Sequence, residues 1–289
     1  MTRLFGVIGS PIGHSLSPAM HSAALQALRL DARYSAFEVP PRFLTPILRA
    51  LILAGVEGLN VTVPLKEAVL PLMDRLHPTA RAVGAVNTIV VRGRRTIGYN
   101  TDGAGFVRAV KELGWRPRAA CAVILGSGGA ARAVAWELSR IPGSCIAIAN
   151  RHLARAQQLA RWLARQRPRT CVCAVPLGEV SLKDAELLVN ATTVGMRAID
   201  RLLVDPRELH RGLLVYDLVY HRETPLVRAA RRRGCVAANG LSMLLYQGAE
   251  SLRLWLRRSP PLAPMRRALV NAVSSRPPRL LWPAGRGGQ

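Results

Sequence analysis

Lysine is almost missing from this chain. It occurs only at Lys66, Lys111 and Lys183, and arginine supplies the rest of the 41 basic residues. Acids are scarce as well, 17 in all, which leaves a formal net charge of +24. Aromatic rings make up only 5% of the 289 residues. A basic nucleic-acid binder needs its cations gathered on one face and rings on which bases can stack. Here the arginines are scattered, apart from Arg231–Arg233, so no specific nucleic-acid partner is expected. Long apolar runs are absent too. Arg49 interrupts the best stretch, 44–65, so no membrane span is expected. The first ten residues lack a basic region followed by an apolar stretch, so a cytoplasmic protein without a secretory leader is expected.

Metal-ligand patterns are also missing. The cysteines, Cys121, Cys145, Cys171, Cys173 and Cys235, are odd in number and match no zinc spacing. The histidines, His14, His21, His77, His152, His210 and His221, form no ligand motif. No metal is expected. Most of the cysteines stand in apolar, strand-like runs, which predicts buried free thiols in a reducing compartment. No repeat of fixed period is present.

What remains is a regular alternation. Apolar strand patterns at Leu4–Gly9, Arg33–Val39 and Gly58–Val63 alternate with helical patterns at Ala19–Leu28 and Arg42–Ala54. A hairpin is predicted from Ala85–Arg92 through Gly93–Arg95 to Thr96–Tyr99. A helix over Ala104–Leu113 leads to a second series of strands: Cys121–Leu125, Cys145–Ala149, Thr170–Val175, Leu187–Asn190, Leu214–Asp217 and Cys235–Ala237. Such alternation predicts parallel sheets covered by helices, an α/β fold. The helix near Met243–Leu256 lies beyond that series, in a place to return to the first half; Pro260 ends it, and a short helix near Pro264–Val273 follows. From Ser274 the chain is rich in Pro, Arg and Gly, which predicts a disordered tail.

Gly126-Ser127-Gly128-Gly129-Ala130-Ala131 follows a strand and opens a helix, reading G-x-G-x-x-A. Glycines there permit a tight turn, and the free N–H groups of the helix N-terminus suit a pyrophosphate. An NAD site usually carries an acid at the end of the next strand. This chain has Asn150-Arg151-His152, with Arg155 one turn later. No acid is available to repel a 2′-phosphate, and Arg151 and Arg155 can pair with one, which argues for NADP. The alternative is two surface arginines in an arginine-rich chain.

Two further runs are polar at the ends of buried strands, where α/β sheets hold ligands. One is Asn60-Val-Thr62-Val-Pro64-Leu-Lys66. The other is Gly84-Ala-Val-Asn87-Thr88 with Asn100-Thr101-Asp102. Pro64 can open a helix, which predicts Lys66 in a first helical turn, where the dipole disfavours its ammonium. Asp102 could instead serve only as a helix N-cap, Ser15 and Ser17 only as caps, and Gln247 as a surface residue.

Together with Ser15, Ser17 and Gln247, these runs resemble the shikimate dehydrogenase family over about Gly6–Trp255. The resemblance implies two domains with a cleft between them. A substrate domain over 1–102 would be joined by helices over 239–273, a Rossmann-like NADP-binding domain would span 103–238, and the tail 274–289 would be disordered. It implies that Ser15 and Ser17 bind the substrate carboxylate. Asn60, Thr62, Asn87, Asp102 and Gln247 would hold ring hydroxyls, and Lys66 and Asp102 would be the catalytic pair. Asn190-Ala-Thr192-Thr193-Val-Gly195-Met196 resembles the second cofactor loop. Asp217-Leu-Val219-Tyr220 and Asn239-Gly240-Leu-Ser-Met243 resemble segments lining the nicotinamide and the cleft, with Tyr220 on the substrate side. The implied activity is reversible, NADP-dependent reduction of 3-dehydroshikimate to shikimate by a monomer or homodimer. Alternatives on the same fold are a quinate or amino-shikimate dehydrogenase and a non-catalytic sensor. His152, His221-Arg222, Leu252 and the residues after Trp255 depart from the family's pattern.

Overall fold

The computed structural model describes residues 2–117, 119–197 and 199–275. The apolar run at the start forms β1 (Arg3–Gly9), which pairs in parallel with β2 (Ala32–Glu38) and β3 (Val56–Val61). Helices α1 (Ser17–Ala27) and α2 (Leu44–Leu53) make the crossovers. β4 (Arg75–Leu76) and the short helix α3 (Pro78–Val83) precede an antiparallel hairpin, β5 (Thr88–Arg92) and β6 (Arg95–Tyr99). The first sheet runs β2-β1-β3-β5-β6-β4. Helix α4 (Asp102–Glu112) then leads to the second strand–helix series.

That series is β7 (Cys121–Leu125), α5 (Gly129–Leu138), β8 (Cys145–Asn150), α6 (Leu153–Gln166), β9 (Cys171–Pro176), β10 (Leu187–Asn190), β11 (Leu214–Asp217), α7 (Pro225–Arg232) and β12 (Val236–Asn239). All six strands are parallel, in the order β12-β11-β10-β7-β8-β9. This is the doubly wound order, with its reversal between β7 and β10, where ligands of such sheets bind beyond the strands' carboxyl ends. Helices α8 (Leu241–Leu256) and α9 (Leu262–Ser274) close the described chain.

Helix α8 turns back to the first sheet, as its sequence position suggests. Its Trp255 stacks on Phe5 of β1, and its indole N–H donates to the carbonyl of Ile89 in β5. Helices α8 and α4 pack side by side, so one apolar core continues from Phe5 and Met20 through Phe106 and Leu245 to Ile124. Gly105 permits that approach: a β-carbon there would lie 2.8 Å from the backbone nitrogen of Gln247. Helix α9 buries Met265 and Leu269 and packs on α1.

Three expectations need correction. Lys66 is not in a first helical turn. Residues 63–69 form turns ahead of a short 3-10 helix at Leu70–Leu72. Pro71 follows too soon, since it has no N–H to extend a helix begun at Pro64; the dipole argument for Lys66 therefore falls away. The cysteines are not uniformly buried. Cys235 is, but Cys121 and Cys145 are half-buried and Cys171 and Cys173 are exposed. Cys171 and Cys173 stand on β9, an edge strand, and apolar patterning alone does not tell an edge from a centre. Ser274 belongs to α9 rather than to a tail. The rest of the expected tail, from residue 276, lies outside the described residues.

Candidate active site

The carboxyl ends of both sheets face one cleft of about 240 Å³. Ser15, Ser17, Asn60, Thr62, Lys66, Asn87, Asp102, Ala130, Thr192, Val219, Tyr220, Gly240, Met243 and Gln247 all line it. Residues from widely separated stretches thus meet. His14, Thr193, Met196 and Leu244 line it too.

At its centre the Lys66 ammonium donates to the Asp102 carboxylate at 2.5 Å. Both side chains are largely withdrawn from water, 16% and 6% exposed. The other ion pairs among the described residues are considerably more exposed on at least one side. Asp102 is the first residue of α4, and Thr101 takes the N-cap position. The Asp102 carboxylate is spent across the cleft floor rather than on the helix end: its second oxygen accepts from the Asn87 amide at 2.7 Å. A carboxylate held on both oxygens has little freedom to swing, and it fixes the lysine it faces.

Beneath that pair lies a buried polar layer. The Asn87 amide nitrogen also donates to Thr101 Oγ1 at 2.9 Å and Gln247 Oε1 at 3.3 Å, and its oxygen accepts from the Thr101 N–H at 2.8 Å. The Asn60 amide nitrogen donates to Ser251 Oγ at 2.9 Å, and its oxygen accepts from the Tyr34 hydroxyl at 2.8 Å. Thr88 and Ser251 share a hydrogen bond of 2.7 Å. Buried polar groups that are all satisfied hold one geometry firmly. Sequence reading missed Tyr34 and Ser251, and it placed Thr88 in a polar run without a role of its own. The one signal for Ser251 is its spacing: it lies one turn after Gln247, on the same face of α8. Gln247 is itself buried, not a surface residue.

The loop that carries Ser15 is tied down from β2. The Glu38 carboxylate accepts from the Ser10 hydroxyl at 2.6 Å and the Ile12 N–H at 2.8 Å, and these bonds hold its pKa below the usual range. The Ser15 hydroxyl accepts from the Ser17 N–H, while Leu16 occupies the N-cap position without a side-chain bond.

The glycine-rich turn joins β7 to α5 on the cleft's other side. Gly126 has φ +108°, and a β-carbon there would lie 2.9 Å from the Ala191 carbonyl, so this position requires glycine. Gly128 caps α5 without any side-chain bond, which leaves the first-turn N–H groups available to an anion, and no atom stands within 4 Å of where its β-carbon would be. Gly129 faces the cleft floor, its would-be β-carbon 3.7 Å from Lys66 Cδ. The phosphate-type turn and the lysine are therefore adjacent. Ser127 Oγ accepts from Asn150 at 2.7 Å, linking the turn to the end of β8, where Arg151, His152 and Arg155 project exposed. This open, donor-rich turn with cations beside it fits a dinucleotide phosphate group. Across the reversal point, buried Asp217 accepts from Thr224, Asn190 and the Val219 N–H, which shapes the turn carrying Val219 and Tyr220. Burial raises its pKa above the ordinary value. Among the described residues no cluster of three or more His, Cys, Asp or Glu could hold a metal, and no helix is long and apolar enough to cross a membrane.

A family model described as shikimate dehydrogenase substrate binding domain matches residues 7–89, and one described as shikimate 5′-dehydrogenase C-terminal domain matches 240–270. The shikimate dehydrogenase (NADP(+)) of Symbiobacterium thermophilum is 45% identical, covering 95% of this chain and 96% of its own. The shikimate 5-dehydrogenase of Thermus thermophilus, solved in complex with NADP(H) and shikimate, superposes with a TM-score of 0.84 at 38% identity, over 93% of this chain and 99% of that one. Quinate dehydrogenase from Corynebacterium glutamicum, in complex with NAD, superposes with a TM-score of 0.86 at 32% identity, over 93% and 99%.

Proposed function

The chain belongs to the shikimate dehydrogenase family, and from that premise we propose that it interconverts 3-dehydroshikimate and shikimate with NADP, using Lys66 and Asp102 for the proton. The observation that carries this reading is the 2.5 Å pair of Lys66 and Asp102 in a cleft directly beneath the dinucleotide-type turn.

Bound NADPH supplies the hydride to the ring carbonyl carbon. The Lys66 ammonium stands ready for the oxygen that becomes negative and gives it the proton that completes the hydroxyl; in the reverse direction neutral Lys66 takes it back. Asp102 orients Lys66 through their hydrogen bond. Asn87, Asp102, Gln247, Thr62 and Asn60 hold the ring hydroxyls, Tyr220 closes the substrate side, and the Ser15 and Ser17 hydroxyls take the carboxylate. Gly126, Ser127, Gly128, Gly129 and Ala130 receive the pyrophosphate. Asn150, Arg151, His152 and Arg155 receive the 2′-phosphate, while Thr192, Val219, Gly240 and Met243 flank the nicotinamide.

We assign the substrate domain to 1–102 with helices from 239–273, and the nucleotide domain to 103–238. The enzyme works as a cytoplasmic monomer or homodimer, without specific nucleic-acid partners. Exposed thiols at Cys171 and Cys173 suit a reducing compartment.

The likeness to a quinate dehydrogenase names quinate as the competing substrate. The test is a steady-state assay with shikimate or quinate and NADP or NAD, followed by the absorbance of the reduced nicotinamide. Shikimate with NADP should give the highest kcat/KM. Lys66→Ala should lower kcat by about 10²–10⁴-fold, without recovery in Lys66→Arg, because arginine does not release its proton. Preference for quinate or NAD would change the substrate or cofactor; wild-type turnover in Lys66→Ala would remove Lys66 from the chemistry.

A further inference from the structure

Four of the five cysteines stand together, away from the cleft. Cys121 and Cys145 are the first residues of β7 and β8, and Cys171 is the first of β9. The parallel register sets them directly side by side, Cys121 opposite Cys145 and Cys145 opposite Cys171. Residues so paired point to the same face, and Cys173, two further along β9, points there as well. This face carries Val123, Leu125, Ala147 and Ala149 towards the cleft end of the strands. At the opposite end the cover thins, and Cys171 and Cys173 are exposed.

Neighbouring strands lie about 4.8 Å apart, inside the spacing of roughly 4.4–6.8 Å that a disulfide spans between Cα atoms. Positions two apart on one strand are about 6.6 Å apart, close to that limit, which disfavours Cys171 with Cys173. Between Cys145 and Cys171 the sulfurs are in contact: the Cys145 thiol donates to Cys171 Sγ at 2.7 Å. That hydrogen bond first, then burial and the charge of the neighbouring cysteines, push the Cys145 thiol up to about 11. Cys145 therefore keeps its proton at neutral pH, and Cys171, exposed and accepting that proton's hydrogen bond, is the sulfur placed to meet a reagent from solvent.

We propose that Cys145 and Cys171 form a reversible redox pair that closes to a disulfide under peroxide, Cys171 reacting first and Cys145 resolving it. The Cys171 sulfur attacks one peroxide oxygen, the O–O bond breaks, and a sulfenic acid and one water result. The Cys145 sulfur then attacks the Cys171 sulfur, the S–O bond breaks, and the Cys145 proton leaves with the sulfenic hydroxyl as a second water. Two thiols lose two electrons and two protons, and one hydrogen peroxide is reduced to two waters. A dithiol reductant reverses the bond by exchange. The segment enclosed between the two cysteines holds Arg151, Arg155 and helix α6, and among the described residues β9 pairs only with β8. The bond therefore staples an edge strand and the strand–helix unit that carries the exposed arginines. The cleft lies at the other end of the strands, so turnover should persist in the oxidised protein.

The full-length protein is treated with hydrogen peroxide, alkylated and digested with trypsin without reduction. Cleavage at arginine and lysine puts Cys121 on 119–132, Cys145 on 141–151 and Cys171 with Cys173 on 170–183. The expected product links 141–151 to 170–183. It should vanish in Cys145→Ser and Cys171→Ser, survive in Cys121→Ser and Cys173→Ser, and revert with dithiothreitol. The oxidised wild type should melt higher by about 5 °C than the reduced, and the two serine variants at Cys145 and Cys171 should show no such rise. A link from 119–132 to 141–151, loss of the product in Cys173→Ser, cross-linked dimers, or sulfinic acid at Cys171 without any link would overturn the pair.

Discussion

His21 is wholly buried, its ring stacked on Tyr34 with centroids 4.3 Å apart and tilted against Trp255. Burial, opposed in part by Asn60, pushes the imidazole down to about 3. An unfolded chain takes up that proton below the ordinary histidine value of about 6.5, whereas the folded protein refuses it. The neutral ring therefore contributes its full stability above about pH 6.5, and the contribution is lost as pH falls from there toward 3, at up to about 1.4 kcal/mol per unit. His21→Phe keeps the ring stack and removes the titration. Melting curves between neutral and mildly acid pH should show a shallower fall for the variant; equal slopes would sink the account. The partners of His21 were not legible in the sequence, because Tyr34 and Trp255 come from distant stretches. Lys66 was legible because, in a chain that uses arginine almost everywhere, a lysine stands in a polar run at a strand end.

Helices α4 and α8 carry the two ends of the cleft floor, Asp102 on one and Gln247 on the other, with Asn87 hydrogen-bonded to both. Their spacing is set by Gly105, and Gly105→Ala would press a methyl into the Gln247 backbone. Overpacking of this kind costs about 1–3 kcal/mol. The variant should melt several degrees lower and show a raised KM for shikimate with a smaller change in kcat, because the helices part and Asp102 and Gln247 move away from Asn87. An unchanged melting temperature and KM would mean that the helix pair adjusts freely. The two helices were recognisable from periodicity alone, and their place in the cleft was not. Lys66 shows the reverse case. The local signal of Pro64 suggested a helix, and Pro71 prevented it.

Across the whole protein, two sheets meet at one cleft, and α4 and α8 join them. Ser15 and Thr62 stand on one rim, Thr192 and Met196 on the other. A site lined from two sheets is the usual setting for closure over bound ligands, which expels water from a hydride transfer. Small-angle scattering should give a smaller radius of gyration with NADP and shikimate together than with either alone. An unchanged profile would mean that the cleft is already in its working shape.

Apart from β4 and α3, local patterns in the chain were enough to set the order of strands and helices, the glycine turn that fits a dinucleotide, and the residues that gather at strand ends. These follow from periodicity, from turn chemistry and from the rule that α/β sheets bind ligands at their carboxyl ends. It took the packing of the folded chain to put Tyr34, Thr88 and Ser251 under the site, to turn Asp102 towards Lys66 rather than onto its own helix end, and to open Cys171 and Cys173 to solvent at one sheet edge. Those facts depend on register and on which distant segments pack together. Hydrogen-bond partners and exposure are set by neighbours in space, and no local pattern of residues encodes them.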